Sequence, residues 1–328
     1  MTRFLIRRIS VLIPMMFLMS LVAYAIILAP PGDYLDTYIE SLSSSGVFVD
    51  TAEIEDLKRQ YGLDKPAHIQ YLKWVGNVMR GNLGRSLEFQ RPITELIGER
   101  LALTVLLGLF TVMFTWTLAI PIGIISAVKQ YSFIDYFFTF LSYFGVGTPN
   151  FLLALVVMWF IFAWFGLKIT GLFSPELQDA SWGLAKFVDM LKHIWVPMII
   201  LGTDGTARFT RIIRANLLDE LSKPYVETAR AKGLPEWKVV LRYPTRIALN
   251  PFISTAGWQL PQLFSGSLIV ATVLSLPTIG PLLLRSLFAQ DMFLAGSIIL
   301  ILTFLTMVGT LISDIILALV DPRIRMEG

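Results

Sequence analysis

Pro224-Tyr-Val-Glu-Thr-Ala-Arg-Ala-Lys-Gly-Leu-Pro-Glu-Trp-Lys238 lies within a polar interval, about Arg208 to Arg246, between two strongly apolar segments. The stretch from Tyr225 to Lys232 has the composition of a helix, with Pro224 where a first helical residue belongs and Gly233 as its C-terminal stop. A basic, helix-forming run punctuated by glycine and proline is unusual between apolar segments. It reads as an ordered surface able to lie across a groove on a soluble partner. A solvated positive loop is the plainer reading of the same composition.

Outside that interval, composition sets the class. The 328 residues are 55% hydrophobic and 16% charged, with mean hydropathy +0.66. Soluble domains keep about a quarter of their residues charged. The balance predicts an all-α polytopic membrane protein. No cysteine is present, which excludes disulfide frameworks and thiolate metal sites. A net charge of +3 is too small to argue for nucleic acid.

A spanning helix needs about 20 mostly apolar residues. Six candidates follow: 9–29, 100–127, 134–165, 194–214, 250–276 and 294–319. The fourth is interrupted by Thr203, Asp204, Gly205 and Thr206. Six spans put both termini on one side, and basic residues in short loops identify that side as cytoplasmic. Arg3, Arg7, Arg8, Lys129, Arg323 and Arg325 join Arg208, Arg211, Arg214, Lys223, Arg230, Lys232, Lys238, Arg242 and Arg246 there. The segment from Pro30 to Arg100 has the opposite bias, with 11 acids and eight bases. The first apolar run is about 20 residues long and lacks a small-x-small cleavage site, so an uncleaved span is expected rather than a signal peptide.

The organisation that follows is a cytoplasmic N-terminus and first span over 1–29, an extracytoplasmic helical segment over 30–99, and a core of five spans over 100–328. The core carries the cytoplasmic loop at about 215–249. In the exported segment, Asp50 and Glu53 make a capping-box start with Ile54, Leu57 and Tyr61 on one face. Pro66 is placed to open a second helix burying Ile69, Leu72 and Val75, and Gly81-Asn-Leu-Gly84 reads as a turn. The segment serves either as a cap on the bundle or as a docking or gating element.

Glu227-Thr228-Ala229, three residues and then Gly233 resembles the Glu-Ala-Ala loop of bacterial ABC importer membrane domains. The longer run from Thr228 to Leu234 is similar to the dipeptide/oligopeptide/nickel permease family. Matching motifs run along nearly the whole chain: Pro31-Gly-Asp33, Tyr61-Gly-Leu-Asp-Lys-Pro66 before Gln70-Tyr71, Gly81-Asn-Leu-Gly-Arg-Ser86, Pro121-Ile-Gly123 and Asp321-Pro-Arg-Ile-Arg325. Their order and spacing carry more weight than any one of them.

The resemblance implies a type I importer fold and the first of two different permease subunits. It also implies two cytoplasmic ABC ATPases, an extracytoplasmic solute-binding protein and a bacterial or archaeal plasma-membrane location. Glu227, Thr228, Ala229, Arg230, Ala231, Lys232, Gly233 and Leu234 would then form the ATPase-coupling loop. The chain departs from the family in four places. Thr228 replaces an alanine, Tyr243-Pro-Thr-Arg246 replaces Ile-x-Leu-Pro, Pro277-Thr-Ile-Gly280 replaces Pro-Gly-x-Gly, and Asp204 occupies a place expected to be small or apolar.

No nucleophile–base set and no Gly-x4-Gly-Lys-Ser/Thr loop is present, so a non-catalytic subunit without bound cofactor is expected, with ATP and magnesium in the partner ATPases. His68 and His193 fall on the outer side without a second ligand at metal spacing, and no metal site is predicted. Ser265-Gly266-Ser267 has no histidine within a span to act as base, and reads as helix packing. Ionisable and amide groups at membrane depth need a reason to be there. Asp204, Gln259, Gln262 and Asp314 are therefore candidates for the translocation path, with Arg285 and Asp291 near the outer end of the sixth span. Arg208 or Arg211 is placed to neutralise Asp204. Gly145, Gly147 and Pro149 should break the third span, as a hinge or as a packing kink. Trp159, Trp164, Trp195 and Trp258 read as interfacial anchors or packing. Family base rates favour di- or oligopeptides as substrate, with oligosaccharides next and nickel behind them.

Overall fold

The computed structural model describes residues 2–28, 65–178, 180–252 and 268–320, and no β-strand occurs among them. In chain order the helices are α1 (Thr2–Leu28), α2 (Ala67–Met79), α3 (Ile93–Val128), α4 (Phe133–Gly147), α5 (Asn150–Phe165), α6 (Leu184–His193) and α7 (Trp195–Leu221). They continue as α8 (Pro224–Ala231), α9 (Glu236–Arg242), α10 (Pro244–Ala248), α11 (Leu268–Val273), α12 (Ile279–Phe288) and α13 (Met292–Val320). The chain divides into two compact units, one of residues 104–277 and 308 onward, the other of residues 2–103 and 278–307.

The larger unit is organised around α7. Its most extensive pairing is with α4, where a side chain on Gly145 would lie 3.0 Å from Ala207 Cβ and 3.2 Å from Thr203 Cγ2. Against α3 the approach is closer still. A Cβ on Gly202 would sit 2.6 Å from Phe114 Cδ1, and one on Gly123 would sit 2.8 Å from Ile213 Cβ. Small residues at these crossings let helix axes approach where no hydrophobic drive between membrane helices exists. Ala119, Phe209, Ile213 and Phe252 fill the space between, with Phe209 and Phe252 edge to face at 4.9 Å. Gly202→Leu is expected to destabilise by about 1–3 kcal/mol through overpacking. Gly98, whose added Cβ would meet nothing within 4 Å, should gain about 1 kcal/mol as alanine from helix propensity. Thermal unfolding of the purified variants in detergent checks both signs.

In the smaller unit, α2 buries Tyr71 and Trp74. This corrects the expected face: Ile69 and Leu72 are exposed and Val75 is half-buried. The reason is aromatic. Trp74 stacks on Tyr24 of α1 at 5.8 Å, Tyr71 lies tilted against the same ring at 5.2 Å, and the Tyr71 hydroxyl lies 2.8 Å from Ser20 Oγ. Rings of that area outweigh an aliphatic stripe. Pro66 is the residue before α2 rather than its first residue. The Gly81–Gly84 turn forms as expected, with both glycines at positive φ and the Gly84 N–H donating to Asn82 Oδ1 at 2.9 Å. Ile93, Leu96 and Ile97 of α3 then pack on Ile279, Leu282, Leu294 and Ile298. Asp291 is fully buried at the start of α13, accepting from the Leu294 and Glu88 N–H groups at 3.1 Å and from Ser86 Oγ at 2.5 Å.

Ile93–Val128 and Met292–Ile312 are each long and apolar enough to cross a membrane. The third candidate span is two helices, α4 and α5, bent by 106°. Pro149 accounts for the break: Thr148 before it is extended at φ −99°, ψ 120°, as a residue preceding proline prefers. The fourth candidate is one continuous helix, although polar residues interrupt its apolar run and it is not among the helices apolar enough to cross a membrane by that measure. Thr203 to Thr206 continue α7 without interruption, and the helix runs on to Leu221. Within a helix the polar groups need only face a partner, not leave the fold. The fifth candidate span lies largely outside the described residues, as do the capping box at Asp50 and the Ser265–Ser267 run.

Candidate coupling surface

Only Ser222 and Lys223 separate the end of α7 from α8, so the segment beyond is anchored on that helix. Pro224 is the first residue of α8 and Ala231 the last, as the sequence predicts. Gly233 stands at φ +77°, and its N–H donates to the Arg230 carbonyl at 2.9 Å. A positive φ at this position suits glycine alone among the neighbouring residue types. The chain turns there into α9, which begins after Pro235. Val226 and Ala229 from α8 pack on Val239 from α9, with Tyr225, Leu234 and Tyr243 around them. These contacts make the interval a small helix–turn–helix with a core of its own. Glu227, Thr228, Arg230, Ala231, Lys232 and Gly233 all face outward.

Two polar contacts hold this shape. Arg230 pairs with Glu236 through Nε and an Nη, the shortest contact being 2.7 Å. The Glu236 carboxyl is held below its ordinary value first by that hydrogen bond, and the Arg230 guanidinium is raised by the same bond. The Tyr225 hydroxyl donates to Glu220 Oε2 at 2.6 Å, and burial followed by that carboxylate pushes the phenol up to about 12. Because the folded Glu236 pKa is depressed, its stabilisation is complete above the ordinary carboxylate range and is lost as pH falls through the folded value. Both side chains are substantially exposed, so the pair contributes at most about 1 kcal/mol. Glu236→Gln should lower the unfolding temperature slightly at neutral pH, by no more than the pair contributes. It should also remove part of the loss seen below about pH 4, measured by melting across a pH series.

A second network, unmarked in the sequence reading, anchors α7 above this surface. Asp135, at the start of α4, is buried and takes Arg214 Nε at 2.7 Å and Nη2 at 2.8 Å. Ser126 Oγ of α3 donates at 2.7 Å and the Tyr131 N–H at 3.0 Å. Three helices therefore meet at one carboxylate, seven residues before α7 ends. Arg214 and Asp135 appear in the sequence only as members of the charge bias, because their pairing spans 79 positions. Trp237 and Leu241 are also new. They stand one turn apart on α9, 67% and 53% exposed, beside the α8 surface.

Of the path candidates, Asp204 forms an i, i+4 pair with Arg208 at 2.9 Å, while Arg211 sits 4.7 Å over the Tyr143 ring. Asp314 is half-buried near the C-terminal end of α13. Gln259 and Gln262 lie outside the described residues, as does Trp258. Arg285 pairs with Glu88 at 2.6 Å and covers the Phe89 ring. At the bend, Gly145 is buried against α7, whereas Gly147 and Pro149 are exposed and an added Cβ on Gly147 would meet nothing within 4 Å. His68 is exposed, and His193 Nδ1 lies 2.8 Å from the Asp189 carbonyl. No group of metal-ligating side chains assembles among the described residues.

Residues 119–326 match the family described as the inner membrane component of binding-protein-dependent transport systems, and residues 1–108 match the N-terminal region of such components. The chain belongs to this family of multi-pass membrane permeases. It is 34% identical over 326 residues to the oligopeptide transport system permease protein AppB of Bacillus subtilis (strain 168), covering 99% of this chain and 100% of the relative. It is 29% identical to the dipeptide transport system permease protein DppB of Escherichia coli (strain K12), covering 99% of each. The di/tripeptide transport system permease protein DppB of Pseudomonas aeruginosa (strain UCBPP-PA14) is 30% identical over the full length of both chains.

Proposed function

We propose that this chain is a six-span, non-catalytic permease subunit of an ABC importer for di- and oligopeptides, with both termini cytoplasmic. It binds no cofactor of its own. It pairs with a second, different permease subunit and takes its energy from two cytoplasmic ATPases that hold ATP and magnesium. An extracytoplasmic solute-binding protein delivers the peptide. The observation that carries the reading is the exposed α8 surface, Glu227 to Gly233, held by its own core at the end of α7. Closure of the ATPases on ATP would draw this surface inward, and α7 would carry the movement into the bundle, biasing it between two states. The peptide assignment is supported by the names of relatives that align end to end with this chain.

The experiment that tests it is a thermal-shift screen of the neighbouring solute-binding protein with short peptides and with oligosaccharides. Ligand that binds only the folded protein stabilises it by mass action, about 2.7 kcal/mol at a hundredfold excess over Kd. Peptides are expected to raise the melting temperature. A shift with oligosaccharides alone would reject the peptide assignment and leave the importer assignment intact.

A further inference from the structure

Helix α6 has its polarity reversed for a helix facing water. Lys186, Asp189 and Met190 are buried, whereas Leu184, Phe187, Val188 and Leu191 are exposed, Leu184 by 80%. These four stand at i, i+3, i+4 and i+7, one stripe of the helix. The inward charges are both hydrogen-bonded. Lys186 Nζ donates to the Gln178 and Ala180 carbonyls at 2.9 and 2.7 Å, and lies 5.0 Å over the Phe173 ring. Asp189 accepts from the Ser174 N–H at 2.6 Å and from Ser174 Oγ at 2.7 Å. Burying an ammonium and a carboxylate is costly unless they are paired in this way. The fold therefore fixes charges inside in order to present an aliphatic and aromatic face outside.

We infer that α6 lies flat in the outer membrane–water interface with the Leu184–Leu191 stripe among lipid acyl chains. The inference rests on the topology proposed above, which puts residues 166–193 outside. Two further observations select lipid over another protein. First, Ile194 alone separates α6 from Trp195 at the start of α7, so the helix is held at the level where that span begins. Second, Trp164 and Phe165 at the end of α5 and Trp195 are all exposed, by 70%, 65% and 46%. Tryptophans concentrate at interfaces, where the ring is apolar and its N–H is wet. Lys192, exposed at the edge of the stripe, is placed to extend its ammonium to the headgroups. An interfacial helix locked to the first residue of α7 would set the depth and tilt of the span that carries the coupling surface.

The chain has no cysteine, so an introduced cysteine labelled on this subunit before assembly reports a single site. Leu184→Cys and Leu191→Cys, each carrying an environment-sensitive fluorophore, would be compared with Glu176→Cys in the same outer loop. The assembled transporter is placed in nanodiscs containing lipids spin-labelled near the headgroup. Lipid quenching several-fold stronger at 184 and 191 than at 176, with iodide quenching in the reverse order, is expected. Strong iodide quenching at 184 and 191 would overturn the proposal. So would insensitivity to both quenchers, which would mean that a protein covers the face. Labelling of Glu176→Cys by an impermeant reagent in intact cells checks the topology separately.

Discussion

Replacing Gly233 with valine is expected to cut ATP-driven uptake at least about tenfold while the subunits still assemble. The cost is conformational rather than steric. A Cβ at Gly233 would meet nothing within 4 Å, but the residue sits at φ +77°. An L-residue there costs about 1–2 kcal/mol, and a β-branched one is the least tolerant. The chain relieves that strain by rotating to negative φ, which redirects α9 and pulls Glu236 from Arg230. A displacement worth about 1.4 kcal/mol is a factor of ten in any equilibrium the surface must satisfy. Alanine should give a smaller loss than valine. Glu227→Lys acts differently: Glu227 is exposed in the first turn of α8, where a negative charge is favoured by the helix N-terminus. Its reversal changes the exposed face of α8, which is proposed to meet an ATPase, without touching the core of Val226, Ala229 and Val239. Uptake unchanged in both variants would remove the coupling role from this loop.

Asp135→Ala is expected to destabilise the purified permease by about 3 kcal/mol and to lower its yield in the membrane. Removing one member of a buried pair leaves the other uncompensated, at about 3–5 kcal/mol. Arg214 keeps some exposure, with a quarter of its side chain accessible, which moderates the penalty. Arg214→Met strands a carboxylate that is almost wholly buried and should cost more than Asp135→Ala. The double variant Asp135→Ala/Arg214→Met should recover most of the loss, because no charge remains to be satisfied. Thermal unfolding of the four proteins as a cycle measures the coupling directly. Additive single effects would show that α4 and α7 do not depend on this contact. If the double variant recovers stability but not uptake, the pair also transmits movement to α8.

Much of the local structure of the candidate coupling surface is legible because its signals are local. Pro224 can start a helix and Gly233 can end one whatever surrounds them, and both do so here. The break at Pro149 is local in the same sense, since the proline ring restricts Thr148 directly. The helix expected after Pro66 forms, but the prediction of its buried face failed for the opposite reason. Ile69, Leu72 and Val75 have helical spacing, but the buried face depends on what it meets, and Tyr24 is 47 positions away from Tyr71. The Asp135–Arg214 pair is distant in the same way, and nothing adjacent to either residue marks it. The inward charges of α6 belong to this class too: the spacing of Leu184, Phe187, Val188 and Leu191 does not say which way the fold turns that face.

The helical membrane class, the bounds of α8 between Pro224 and Gly233, the break at Pro149 and the family motifs that surround Glu227–Gly233 are readable from the residues alone. Those properties follow from hydropathy and backbone stereochemistry, which act over a few residues. Only the tertiary structure decided which faces are buried, that Thr203–Thr206 remain helical, and that one carboxylate ties three helices together. These outcomes depend on distant side chains meeting at close range, and the free energy of each contact exists only once both partners are in place.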